Sequence, residues 1–314
     1  MSSKARIRSL MRLLGPLLLV WVIWRFADLP TLVETFARAR PLPIVAAILL
    51  NAVAIHLKLW RWRDLLGAVD VRLSVAEAYR AFLPSLYLGL ITPGRVGDAL
   101  RIQYLKRDHH VGYSDGLAVS IVDRLCDVYV LLAFVALGVV RLAHAVSAPV
   151  AQVTWVAVAF VAVAPALLFV RQAAEPAAQW LYGRFSDGKA HEGLSVFFES
   201  LRRQISPRVL GPLLLTFTAF LVNYVQAWLV ADALGIGLRF IDVAALVAIS
   251  SFLSLLPISV SGVGVRESFF ALVFPAFGFA GTLGIAFGLG VFAVIYVPTL
   301  LAGFVAWLLW PPST

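Results

Sequence analysis

Three short stretches set charged residues into otherwise apolar sequence. Arg95, Asp98 and Arg101 follow the break Thr92-Pro93-Gly94, Asp123, Arg124 and Asp127 interrupt the run from Asp115 to Val140, and Arg266 and Glu267 follow the turn from Leu256 to Gly264. Guanidinium groups beside a helix N-terminus suit an anion, because the free N–H groups and the helix dipole there favour negative charge. Neighbouring carboxylates balance such a site and can exchange partners with an incoming ligand. Hydrolytic chemistry has no comparable signal: the chain carries no GxSxG, no HExxH and no phosphate-binding P-loop. His56, His109, His110, His144 and His191 show no metal-ligand spacing, and Cys126 is the single cysteine. Neither an enzyme nor a cofactor is expected.

Charge so placed requires a membrane setting to have meaning, and composition supplies it. Hydrophobic residues make up 61% of 314 and charged residues 14%, with mean hydropathy +0.91, well outside the balance of soluble domains. The net charge of +9 does not point to nucleic acid. Most basic residues fall in clusters at 4–12, 58–107 and 171–208, which the positive-inside tendency places in the cytoplasm.

The expected architecture is an all-α polytopic membrane protein forming a single domain over 1–314. It has about six spanning helices, near 10–26, 42–60, 115–140, 150–170, 209–234 and 282–310, the last interrupted at Pro298, with the N-terminus cytoplasmic. The first run resembles a signal sequence but lacks a small-residue cleavage site, so it reads as an uncleaved span. The tryptophans of Lys58 to Arg63 are expected at headgroup level, and Ser74 with Glu77 forms a capping-box pattern.

Two segments, about 81–107 and 243–279, are too short on either side of their breaks to span, since a crossing helix needs roughly 20 residues. Basic residues on both sides of the first return it to the cytoplasm, so each reads as a re-entrant hairpin. Non-helical backbone at membrane depth is tolerated only inside protein or beside a wet cavity. Pro93, Gly94, Gly97, Pro257, Gly262 and Gly264 supply that hairpin backbone. A fixed shift pairs Ser85 with Ser254, Thr92 with Ser261 and Asp98 with Glu267, and one gap adds Gly97 with Gly264. An odd number of spans lies between the hairpins, so they open from opposite sides. That is the inverted-repeat plan of secondary transporters.

Each polar residue also has a plainer reading. Ser120, Asp123, Arg124 and Asp127 fall within about 100° of arc on one helix; they line a pathway or form an internal pair that fixes packing. Arg101 reads either as a ligand or as a snorkelling interface residue. Arg95 reads as a ligand or gate residue, and Arg266 with Glu267 as functional or as a local bridge closing the hairpin. Asn223 and Gln226 suit interhelical hydrogen bonds.

The motifs LITPGRVGDALR, SIVDRLCDVYVLL and LLPISVSGVGVRESFF, in this order, resemble those of the flippase-like membrane family that includes the transmembrane flippase part of lysylphosphatidylglycerol synthases. The resemblance covers about Ala76 to Trp310. It carries over Pro93, Gly94, Arg95, Gly97, Asp98 and Arg101, then Asp123, Arg124 and Asp127, then Pro257, Ser261, Gly262, Gly264, Arg266 and Glu267. Asp98 stands where Glu is common. With no soluble catalytic domain after Thr314, aminoacylation of lipid is not expected.

The resemblance implies a flippase-like transporter in the bacterial cytoplasmic membrane. It would move a phospholipid or lipid-linked headgroup between leaflets through a charged midplane cavity, with anionic membrane lipids as partners. Transport of a soluble anion shares the same electrostatics. A membrane-embedded transferase with Asp98 or Asp123 as base is a third reading, for which no donor-binding motif is present.

Overall fold

The computed structural model describes residues 29–92, 97–142, 189–204, 207–255 and 262–310, with positions 152, 155, 156, 159 and 163 between them. The expected span at 10–26, all but those positions of the one at 150–170, and Pro93, Gly94, Arg95, Pro257 and Ser261 lie outside the described residues.

The described residues form helices and no strand. In chain order these are α1 (Leu29–Ala37), α2 (Pro41–Gly67), α3 (Val75–Ile91), α4 (Asp98–His109), α5 (Tyr113–Arg141), α6 (Lys189–Gln204), α7 (Leu210–Ala233), α8 (Phe240–Leu253), α9 (Val265–Val273) and α10 (Gly281–Leu309). Helices α2, α7 and α10 are each long and apolar enough to cross a bilayer. Helix α5, at 29 residues, reaches about 43 Å at 1.5 Å per residue, and its three internal charges set it apart from them.

Two helix–break–helix units interrupt this plan. In the first, α3 ends before the break and α4 begins after Gly97, and the arms touch. A Cβ on Gly97 would collide with the backbone of Leu88 and Gly89, so glycine here lets the second arm pass against the end of the first. The hairpin starts at Val75 rather than Ala81: the Ser74–Glu77 capping box begins the same helix that enters the hairpin, with Glu77 N–H donating to Ser74 Oγ at 3.3 Å and Ser74 N–H to Glu77 Oε2 at 2.8 Å. In the second unit α8 packs on α9 across a break that ends at Gly262 (φ 75°) and Gly264 (φ 88°). These are backbone conformations that only glycine adopts without strain.

Helix α5 joins the units. Its first half carries α4, where Gly116 lies against Ile102, and its last turns carry α8, where Gly138 lies against Ala245. The packed interior divides accordingly. Ala118, Val119, Val122 and Cys126 join one apolar cluster with Leu59, Trp62, Phe82 and Tyr104. Leu131, Leu132, Val135 and Val139 join another with Tyr224, Val243, Phe270 and Phe287. The charged turn of α5 lies at the boundary.

Three expectations change. A short helix, α1, occupies part of the connection before Arg40, which binds Asp232 at 2.6 Å. Helix α2 runs on to Gly67, and this extension turns Arg61 and Trp62 inward: Trp62 is fully buried, and of the two tryptophans only Trp60 is exposed. Helix α10 is not cut at Pro298 but passes through a π turn at Phe292–Tyr296 just before it. Proline has no N–H to offer the carbonyl four residues back. A wider turn and an outside donor accommodate that loss, as π turns commonly do at such sites.

Candidate functional site

On α2, Ala47, Asn51, Ala54, Arg61 and Leu65 recur at helical spacing and are buried. Arg61 is 2% exposed. A guanidinium in such a place must be neutralised and hydrogen-bonded, because an unpaired buried charge is costly. Helix α5 supplies the partners: Arg61 Nε donates to Asp123 Oδ1 at 2.7 Å and Nη1 to Asp127 Oδ1 at 2.5 Å. Thr216 of α7 accepts a third bond from Nη1 at 3.0 Å.

Asp123 is itself 1% exposed and shares its other oxygen with Arg101 of α4, whose Nη1 donates to Oδ2 at 3.2 Å. Arg101 is as buried as Arg61, which removes the snorkelling reading. Its Nε donates to Ser85 Oγ at 2.6 Å, and its guanidinium lies 4.3 Å from the centre of the Phe82 ring and 5.7 Å from that of Trp62. Both arms of the first hairpin are thus tied to Asp123, α3 through Ser85 and Phe82 and α4 through Arg101. Arg124 completes the group from the half-exposed side, 3.2 Å from Asp127 Oδ2 and 3.7 Å from Asp123 Oδ2.

Among the described residues, this network sets three guanidinium groups against two carboxylates. Apolar clusters lie on both sides of it. Asp123, Arg124, Asp127 and Arg101 are brought together as site residues. Arg61, Ser85 and Thr216 were not anticipated. Arg61 was visible in principle: it shares a stripe with Asn51, and the α5 face carries two acids for one base and so needs a cation from elsewhere.

Arg266 and Glu267 do not join this network. They form a local bridge, with Arg266 Nη2 donating to Glu267 Oε1 at 2.7 Å and Nε to the same oxygen at 3.0 Å. Glu267 Oε2 accepts from the Gly264 N–H at 2.7 Å, so the carboxylate caps the start of α9. The Arg266 guanidinium lies 5.4 Å and 5.3 Å from the ring centres of Phe292 and Tyr296, which stack on each other in the π turn. Gly262 packs against Ser254 with no room for a side chain.

Asp98 opens α4, and its side chain lies outside what is described. Gln226 makes the expected interhelical bond, Nε2 donating to the Ala47 carbonyl at 2.8 Å. A cleft of about 180 Å³ opens between the arms of the first hairpin beside Glu77, Arg80, Tyr104 and Asp108, and none of the anticipated site residues line it. Among the described residues no cluster of His, Cys, Asp and Glu suits a metal ion.

A family model described as the lysylphosphatidylglycerol synthase TM region matches residues 11–303. Comparison with curated proteins and with solved structures finds no match.

Proposed function

The chain belongs to the family of the lysylphosphatidylglycerol synthase transmembrane region, and we propose that it is a non-enzymatic lipid transporter of flippase type in the bacterial cytoplasmic membrane, with its N-terminus inside. The observation that carries this reading is the buried network on α2, α4, α5 and α7, in which three arginines face two aspartates. Charges inside membrane segments are costly and are kept where a path or ligand uses them. Guanidinium groups suit the phosphate of a lipid headgroup, which they can bind through paired N–H donors.

In this reading the hairpins form an inverted pair that opens from opposite leaflets around α5. Arg101 meets Asp123 at 3.2 Å, whereas Arg61 holds the two aspartates by bonds of 2.7 and 2.5 Å. A headgroup phosphate would compete for Arg101 and Arg124 and leave Arg61 in place as the fixed counter-charge. Arg95, Asp98, Arg266, Glu267 and Ser261 would meet the headgroup further along, nearer the breaks. Release of Arg101 from Asp123 frees α4 to move relative to α5.

The test is reconstitution into liposomes with a fluorescent phospholipid whose arrival in the outer leaflet is read by quenching. Wild type is expected to equilibrate the label, and Arg101→Ala, Arg124→Ala and Arg266→Ala to slow it. Flux of a soluble organic anion with no lipid movement would overturn the lipid reading. Transport unchanged in all three variants would remove these residues from it.

A further inference from the structure

One stripe of α2 faces away from the packed interior. Leu42, Val45, Leu49, Val53 and Trp60 are exposed on it at helical spacing, and His56 is exposed among them. Apolar side chains there suit lipid; an imidazole in a spanning helix carries a cost that function normally offsets.

The bonds around His56 specify what it does. Trp60 Nε1 donates to His56 Nε2 at 2.5 Å, and His56 Nδ1 meets the Tyr79 hydroxyl of α3 at 2.8 Å. An indole N–H only donates. Nε2 is therefore the acceptor, the imidazole proton sits on Nδ1, and Nδ1–H donates to the Tyr79 oxygen. The relay thus runs in one direction and leaves the Tyr79 O–H to donate outward. Arg63 stands 5.3 Å from the centre of the Trp60 ring, fixed by bonds of 3.0 and 2.8 Å to the Leu73 carbonyl, and adds positive potential. Tyr79 is one turn into α3, about 6 Å of helix rise from Val75, and amphipathic aromatic residues favour the level of phosphate and ester groups.

We propose that the Trp60–His56–Tyr79 relay is a docking site for the phosphate and glycerol region of a phospholipid, at the seam between α2 and the first hairpin. The inference rests on the lipid-transport reading and names where a lipid meets the hairpin before its headgroup moves. Tyr79 is the terminal donor, His56 and Trp60 orient it, and Arg63 supplies the attraction for phosphate.

The test uses the full chain in vesicles of phosphatidylethanolamine and phosphatidylglycerol, with a trace of phosphatidylethanolamine bearing a photoreactive diazirine on its headgroup. After illumination, labelled peptides are mapped by mass spectrometry. Label is expected on the peptides holding Trp60 and Tyr79, and it is expected to fall about tenfold in Tyr79→Phe and in His56→Phe, the loss expected from one hydrogen bond to a charged group. Phenylalanine keeps the ring and its apolar contact, so a merely aromatic membrane anchor would label equally in all three proteins. Equal labelling, or labelling confined to other segments, overturns the proposal. Tyr79→Phe removes one oxygen and keeps the fold testable, with circular dichroism and monodispersity as the check. Should wild type carry the seam label yet move no lipid, the transport reading falls and the docking site stands.

Discussion

Asn51 Nδ2 donates to the Val294 carbonyl at 2.6 Å, and Val294 is the residue whose helical donor Pro298 removes. One amide on α2 thus replaces a missing backbone bond on α10. It does so beside the π turn whose Phe292 and Tyr296 rings hold the Arg266 guanidinium.

Asn51→Ala is expected to lower stability by roughly 1–3 kcal/mol, the cost of leaving a buried carbonyl unsatisfied. Pro298→Ala restores an N–H four residues on, so adding it to Asn51→Ala should recover part of the loss. Thermal unfolding in detergent of the two single variants and the double variant measures this coupling. Additive effects would show that Asn51 and Pro298 act separately.

Arg61→Ala leaves Asp123 and Asp127 without their buried shared partner, with only the half-exposed Arg124 still between them, and is expected to cost about 3–5 kcal/mol. Arg61→Lys should recover little. Arg61 uses Nε and Nη1 at once, a fork geometry that a single ammonium does not reproduce. The midpoint of thermal unfolding orders the three proteins.

Gly97→Ala and Gly67→Ala form a contrasting pair. A Cβ at Gly97 meets Leu88 and Gly89 backbone, which cannot swing aside, so a large loss of folded yield is expected. Gly67 has nothing within 4 Å and sits at the end of α2. Alanine there should be neutral or stabilising by up to about 1 kcal/mol, as helix propensity dictates.

The Ser74 hydroxyl, with the Ser74 backbone N–H, holds the Glu77 carboxyl below its ordinary range. Because the value is lowered by folding, the capping box contributes fully above the ordinary carboxylate value and is lost as pH falls through the lowered one. Deuterium uptake at 75–80, corrected for the intrinsic rate, is therefore expected to rise in that acidic window. Glu77→Gln keeps the capping geometry and should flatten the dependence.

Much of the framework was legible because it is encoded locally. The break at Thr92-Pro93-Gly94, the turn ending at Gly264, and the arc of Asp123, Arg124 and Asp127 each depend on neighbours a few residues away. That the two acids of α5 need a further cation was legible, but not that Arg61 supplies it. In KLWRWR it looks like one more topology charge, and its partners lie 62, 66 and 155 residues away. The Asn51–Val294 bond spans 243 residues and has no local trace beyond a polar residue on an apolar stripe.

By itself the sequence determined that this chain belongs in a bilayer, that two of its apolar helical stretches are short and interrupted, and that one long helix carries charge on one side. These follow from hydropathy, from proline and glycine, and from a 3.6-residue period, all properties of consecutive residues. Only the tertiary structure decided which guanidinium answers which carboxylate, that Arg101 is buried rather than at the interface, and that Arg266 turns to its own neighbour and a pair of rings. Ion pairing acts over a few ångströms between helices distant in sequence, so the partner of a charge is set by which helices pack together, and spacing along one helix does not contain that information.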